Sequence, residues 1–170
     1  IAWYAAYPET NRERIRLRVD LDSNPPQNAR IVVAVHAPGG RGRPEVVEVP
    51  AKGRATECCA PVKRPLLWSP ETPHLYRIDV ALHSGPETLD ALSERTGFVD
   101  LFVGRKQFCI NGEPFYMRGT GDFLSCPETG SPDTNRDRWR RKLRTLREYG
   151  YNYVRCQSYV YGPEYYDAAD

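Results

Sequence analysis

Arg155, Cys156, Gln157, Ser158 and Tyr159 put a permanent cation, a thiol, an amide and two hydroxyls on five consecutive residues, directly after a short β-type run. A guanidinium stays charged and presents a planar fork of donors that suits a carboxylate. The run is Tyr151-Asn152-Tyr153-Val154, and it follows a basic amphipathic segment ending at Gly150. The order is helix, glycine stop, strand, then polar and aromatic residues at the strand's C-terminal end. In barrels and doubly wound sheets that end is where chemistry is done. The chain stops at Asp170 in mid-element. The expectation is a piece of an enzyme, cut before its active site is complete.

The elements that must position these residues follow from pattern. Phe108-Cys109-Ile110 and Phe115-Tyr116-Met117-Arg118 flank Asn111-Gly112-Glu113-Pro114, and Asn-Gly between two apolar runs signals a hairpin. Gly119 to Asp133 reads as a loop, rich in Gly, Ser, Pro and Thr. A helix follows, with Thr134 as its cap and Asp137 as an imperfect capping-box partner. Trp139, Leu143 and Leu146 share one face of it, which marks Trp139 as core. A second helix is expected to start near Pro163, with Glu164 in its first turn, where a negative charge suits the dipole. Strand, helix and strand in this order form a β-α-β unit, which implies parallel strands.

Residues 1–100 have a different grammar. Arg14 to Leu21 alternates polar and apolar for eight residues, the signature of a half-buried strand. Ile31 to Val35 is a β-branched run, and Val46 to Val49 ends at Pro50. Further strands are expected at Ala55 to Ala60, Leu75 to Leu82 and Glu94 to Val99, with a weak one at Ala2 to Tyr7. About seven short strands without helical periodicity suggest an immunoglobulin-like β-sandwich. The expected division is a sandwich domain at 1–100 and a β/α domain at 101–170.

Composition narrows the function classes. Of 170 residues, 24 are Lys or Arg and 22 Asp or Glu, a net charge of +2 that calls for no polyanionic partner. No apolar run approaches the roughly 20 residues of a bilayer span. The start, Ile1-Ala2-Trp3-Tyr4, does not resemble a signal peptide; neither a cytoplasmic nor an exported home is singled out. Cys58, Cys59, Cys109, Cys126 and Cys156 lack the spacing of a zinc site or disulfide framework and read as buried structural thiols. No metal-ligand cluster appears, and no cofactor is expected. Seven cations between Arg136 and Arg147 make the helix strongly basic. Asp137 and Glu148 offset part of that charge, and no aromatic residues interleave on the basic face. The run therefore reads as the wet side of an outer helix, not as a nucleic-acid platform.

Four stretches carry a resemblance. Leu67-Trp68-Ser69-Pro70-Glu71-Thr72-Pro73-His74-Leu75-Tyr76 resembles the LWSPExPxLY signature of the sandwich domain of glycoside hydrolase family 2. Asp90 with Arg95-Thr96-Gly97-Phe98 is similar to the way that domain ends, with Val99 replacing an arginine of the pattern. Phe108 to Phe115 with Arg118-Gly119 resembles the lead into the family's TIM barrel. Tyr149 to Arg155 resembles its second barrel strand. Asp170 stands fifteen residues beyond Arg155, as an aspartate does in the family.

The resemblance implies a β-sandwich followed by the first β/α units of a TIM barrel, truncated here. It implies a retaining β-glycoside hydrolase acting on carbohydrate. Retention uses two carboxyl groups about 5–5.5 Å apart. In the family these are glutamates on later barrel strands, so this piece is expected to be inactive alone. Glu128 and Glu164 are read as structural. The resemblance places Arg155 under the sugar, bonded to the nucleophile carboxylate; the alternative is an arginine bridging strands in the barrel mouth. Ser158 stands where the family pattern has a histidine, and Gly121-Asp122-Phe123 where many members read Asn-x-His. Asp122, Gln157 and Tyr159 carry groups that bind sugar hydroxyls, and each fits a scaffold role as well. Trp68 reads as core packing rather than a sugar platform. The rival reading is a non-catalytic carbohydrate-binding relative on the same fold. Neither the sugar nor the oligomeric state is implied.

Overall fold

The computed structural model describes residues 1–40, 42–122, 130–131, 133–157 and 160–170. The chain divides into two compact units, Ile1–Leu101 and Phe102–Asp170.

In the first unit, seven antiparallel strands form two sheets. They are β1 (Trp3–Glu9), β2 (Arg14–Asp20), β3 (Ala29–His36), β4 (Glu45–Pro50), β5 (Ala55–Pro61), β6 (Tyr76–Ser84) and β7 (Glu87–Thr96). One sheet has the order β1-β2-β5 and the other β4-β3-β6-β7. All seven expected strands are present, with shifted ends. Ile31, Val33 and Val35 on β3 alternate with less buried residues, as do Ile78, Val80 and Leu82 on β6 and Ile15, Leu17 and Val19 on β2. These nine side chains, with Tyr4, Cys58, Ala60, Tyr76 and Phe98, form one apolar cluster between the sheets. Burying each large aliphatic side chain stabilises the fold by about 1.5–3 kcal/mol. The largest departure is β7, which starts at Glu87, well before the expected Glu94. Most of β7 is exposed, so no buried apolar alternation marks it.

The LWSPE and RTGF stretches close the sandwich together. Leu67 pairs with Phe98 in an isolated parallel bridge, and the Trp68 amide donates to the Phe98 carbonyl at 2.7 Å. A Cβ at Gly97 would lie 2.8 Å from Trp68 Cβ, so only glycine lets the indole pack there. Phe98 meets Tyr76 edge to face at 5.2 Å, and the Tyr76 hydroxyl accepts from the Leu66 amide at 2.9 Å. Trp68 therefore serves packing, as its sequence context implies.

The second unit opens with β8 (Leu101–Val103, whose first residue closes the first unit), which joins β9 (Phe108–Ile110) and β10 (Glu113–Phe115) in a small sheet. The β9–β10 turn is the expected Asn111-Gly112 pair, with φ of 53° and 88°. Both are left-handed, as a tight hairpin requires. β11 (Gly119–Asp122) and β12 (Tyr153–Cys156) pair in parallel, joined through α1 (Arg136–Glu148), and α2 (Pro163–Ala169) follows.

Three expectations need correction here. Gly119–Asp122 is a strand, not part of a loop, and it is the first strand of the β-α-β unit. Glycine has weak strand propensity, but at Gly119 the missing side chain makes room for the Tyr153 ring, which would lie 2.5 Å from a Cβ there. The α1 cap is Asn135, not Thr134: its Oδ1 accepts from the Asp137 and Arg138 amides at 2.9 and 3.3 Å, satisfying two orphan donors. The strand expected at Tyr151 to Val154 runs from Tyr153 to Cys156 instead, because Tyr151 still belongs to the helix stop. Its amide donates to Leu146 and that of Gly150 to Arg147, with Gly150 at φ 84°, a Schellman ending.

The thiols are not uniformly buried. Cys58 and Cys109 are buried, Cys156 is half-buried and Cys59 is exposed; all four are free, and Cys126 lies outside the described residues. Adjacent residues on a strand face opposite ways, so Cys58 and Cys59 cannot both enter the core.

Candidate functional site

The candidate site lies at the C-terminal ends of β11 and β12. Their register pairs Gly119 with Tyr153, Thr120 with Val154, Gly121 with Arg155 and Asp122 with Cys156. Side chains alternate along each strand, so partners across the ladder share a face. One face carries Tyr153 and Arg155 over the two glycines. The other carries Asp122 and Cys156 and is the face covered by helix.

The packing of that second face is set by aromatics. Trp139 of α1 is buried with Tyr161 and Tyr165, and Leu143, Cys156 and Ala168 pack against the three rings. The Trp139 ring meets Tyr161 and Tyr165 edge to face at 5.5 and 5.2 Å. Burial, followed by a hydrogen bond with Cys156, pushes the Tyr165 phenol above its ordinary range. The indole Nε1 donates to the Asp133 carbonyl at 2.7 Å. Trp139 and Leu143 are thus core, as the helical spacing implies.

The five residues singled out from the sequence separate. Arg155 is exposed on the open face of β12. Asp122 lies on the opposite face, 7% exposed, with its Oδ2 2.7 Å from Lys142 Nζ of α1. The structure does not bring Asp122 and Arg155 together on one surface. Gln157 continues the parallel ladder, its amide donating to the Asp122 carbonyl at 3.0 Å. Ser158 and Tyr159 lie outside the described residues, as does Glu128. Glu164 sits in the first turn of α2, behind Pro163 at the helix start.

Below the site, a lock of hydrogen bonds joins residues of the last two motifs. The Asn152 amide donates to the Arg118 carbonyl at 3.0 Å, and Asn152 Oδ1 accepts from the Arg118 amide at 2.8 Å. Asn152 Nδ2 donates to the Tyr116 carbonyl at 3.0 Å, and Arg118 Nε donates to the Gly150 carbonyl at 2.7 Å. The asparagine side chain stands in for a backbone partner at the foot of β12 and fixes its register on β11. The sequence pattern gives no role to Asn152 or Arg118, and it counts Lys142 among the cations of the wet helix side, whereas the Lys142 ammonium pairs with buried Asp122. A signal was present: asparagine is unfavourable in strands, so its place between two tyrosines points to a side-chain bond with backbone.

Residues 1–98 match the family model described as Glycosyl hydrolases family 2. The chain belongs to glycosyl hydrolase family 2. Among curated relatives of this family 2 chain is a protein named β-galactosidase 2 from Enterobacter cloacae, 34% identical over 112 residues, which are 65% of this chain and 11% of the relative. Another is a putative β-glucuronidase from Formosa agariphila, 32% identical over 110 residues, 64% of this chain and 13% of the relative. Among solved structures, an FMN-binding β-glucuronidase from Facaelibacterium prausnitzii L2-6 superposes with a TM-score of 0.81 at 21% identity, covering 97% of this chain and 26% of that one. The family 2 chain thus spans about a tenth of the curated relatives' length.

Proposed function

We propose that this chain is the immunoglobulin-like sandwich and the first β/α portion of the TIM-barrel domain of a retaining β-glycoside hydrolase. The domain reading divides it at about residue 100. The observation that carries the proposal is the parallel β11-α1-β12 unit with Arg155 exposed near the C-terminal end of its second strand, in a chain of family 2. Barrel enzymes work at that end of their strands.

Retention needs two carboxyl groups about 5–5.5 Å apart, one nucleophile and one acid/base. Both are assigned to sequence outside these 170 residues; the piece alone is inactive. Arg155 serves the nucleophile. Its rigid fork keeps the carboxylate ionised and aimed at the anomeric carbon. Gln157, Ser158 and Tyr159 follow it and offer amide and hydroxyl groups to sugar hydroxyls. Asp122, turned to the helix face, is assigned no sugar contact.

The test is an assay of the full-length parent protein on a panel of aryl β-glycosides, with Arg155→Ala beside the wild type. Hydrolysis with retained anomeric configuration is expected, and the variant should lose on the order of a hundredfold in kcat. Inversion, or full activity in the variant, would refute the mechanism.

Ser158 in the histidine position and Gly121-Asp122-Phe123 in place of Asn-x-His favour a second reading, a carbohydrate-binding relative without catalysis. Sugar binding by a full-length protein that cleaves no glycoside would decide for it.

A further inference from the structure

Asp122 is the one charged residue that is buried among those described. A buried carboxylate is costly unless an opposite charge and hydrogen bonds compensate it. Its Oδ2 lies 2.7 Å from Lys142 Nζ, whose side chain is 38% exposed. The same ammonium stands 5.3 Å from the centre of the Trp139 ring, an attractive placement over an aromatic face. The backbone carbonyl of Asp122 accepts from the Gln157 amide at 3.0 Å and from the Tyr161 hydroxyl at 3.3 Å. One residue therefore gathers the end of β11, the end of β12, the middle of α1 and the segment leading into α2.

These contacts lie behind Arg155. Asp122 pairs with Cys156, the residue after the arginine, and bonds to Gln157, two residues on. The ladder on both sides of Cys156 thus depends on where Asp122 sits. Lys142 pins that position from the helix. A neutral side chain at either place removes the pin.

We infer that Asp122 is a positioning residue: its ion pair with Lys142 fixes the C-terminal ends of β11 and β12, and through them the point at which Arg155 is presented. The role in catalysis rests on the glycosidase reading above; the role in holding the strand ends does not.

The test compares Asp122→Asn, Lys142→Met and the exchanged pair Asp122→Lys with Lys142→Asp in the full-length protein. Lys142→Met changes a half-exposed helix residue and keeps the comparison usable if Asp122→Asn does not fold. Two quantities are read. Hydrogen exchange of the segment 155–157 should quicken about tenfold or more in each single variant and return toward the wild-type rate in the exchanged pair. On a cleaved aryl glycoside, kcat should fall about tenfold to a hundredfold in the single variants, with little change in KM, and recover in the exchanged pair. Unchanged exchange in both single variants overturns the inference whatever the activity. Quickened exchange with unchanged kcat overturns the link to catalysis. A wild type that cleaves nothing refutes the glycosidase reading instead, and exchange alone then decides whether the pair holds the strand ends.

Discussion

A glycine and an asparagine show how single residues serve this chain. Gly97 has no unusual backbone requirement among those described; it is needed because Trp68 Cβ occupies the space its own Cβ would fill. Trp68 cannot retreat, since its amide is bonded to Phe98 and its neighbour Leu67 is bridged there too. Gly97→Ala should therefore cost about 1–3 kcal/mol, as overpacking does. In a unit of this size that lowers Tm by roughly 5–20 °C, readable by calorimetry. An unchanged Tm would mean that the Trp68 clamp contributes nothing. Asn152 works in the opposite way. It adds side-chain bonds where the ladder needs them: its Oδ1 accepts from the Arg118 amide and its Nδ2 donates to the Tyr116 carbonyl. Asp122 is the residue whose role changed most between sequence and structure. Its type suits a sugar hydroxyl, but strand alternation turns it toward α1 and Lys142.

At the scale of elements, the two units differ in how well their strands are supported. β3 and β6 are central strands with ladder partners on both sides and an alternating buried face. β11 and β12 form a two-stranded sheet among the described residues, and such a pair is marginal unless something packs on it. Helix and aromatics cover one face; Tyr153 and Arg155 on the other are exposed. In the isolated 170-residue chain, the amides of β3 and β6 should be the most protected and those of β12 should exchange far faster. Hydrogen exchange followed by mass spectrometry measures this directly. Protection of Tyr153–Cys156 equal to that of β3 would contradict the account. In the full-length protein the proposed third barrel strand pairs with β12, and the same amides should become slow.

For the sandwich unit as a whole, titration sets a window of stability. A hydrogen bond from Arg14 holds the Glu9 carboxyl below its ordinary range, and one from Arg18 does the same for Asp20. A lowered folded pKa stabilises above the unfolded values of 4.5 and 3.8 and is lost as pH falls through the folded ones. Burial pushes the Cys58 thiol up from 9.0 to about 11. The stability this burial contributes is full below 9.0 and is lost as pH rises through about 11. Urea midpoints should be flat between about pH 5 and 9 and fall on both sides; Cys58→Ala should soften the alkaline fall alone. A midpoint still level at pH 3 would exclude the acid limb. Much of this architecture was legible beforehand. Period-two alternation marked β2, a β-branched run marked β3 and short β-type runs marked the other five strands; Asn111-Gly112 marked its hairpin, and Trp139 with Leu143 marked the packed face of α1, because each rests on interactions within a few residues of chain. What tertiary structure alone decided was which distant residues meet. Gly119–Asp122 is a strand because Tyr153 crosses it, and β7 extends to Glu87 because β6 offers it a ladder. Asp122 serves Lys142 rather than the open face because a one-residue step along a strand reverses the side chain. Register and facing depend on partners more than thirty residues away in the ladder, and local pattern carries no term for them.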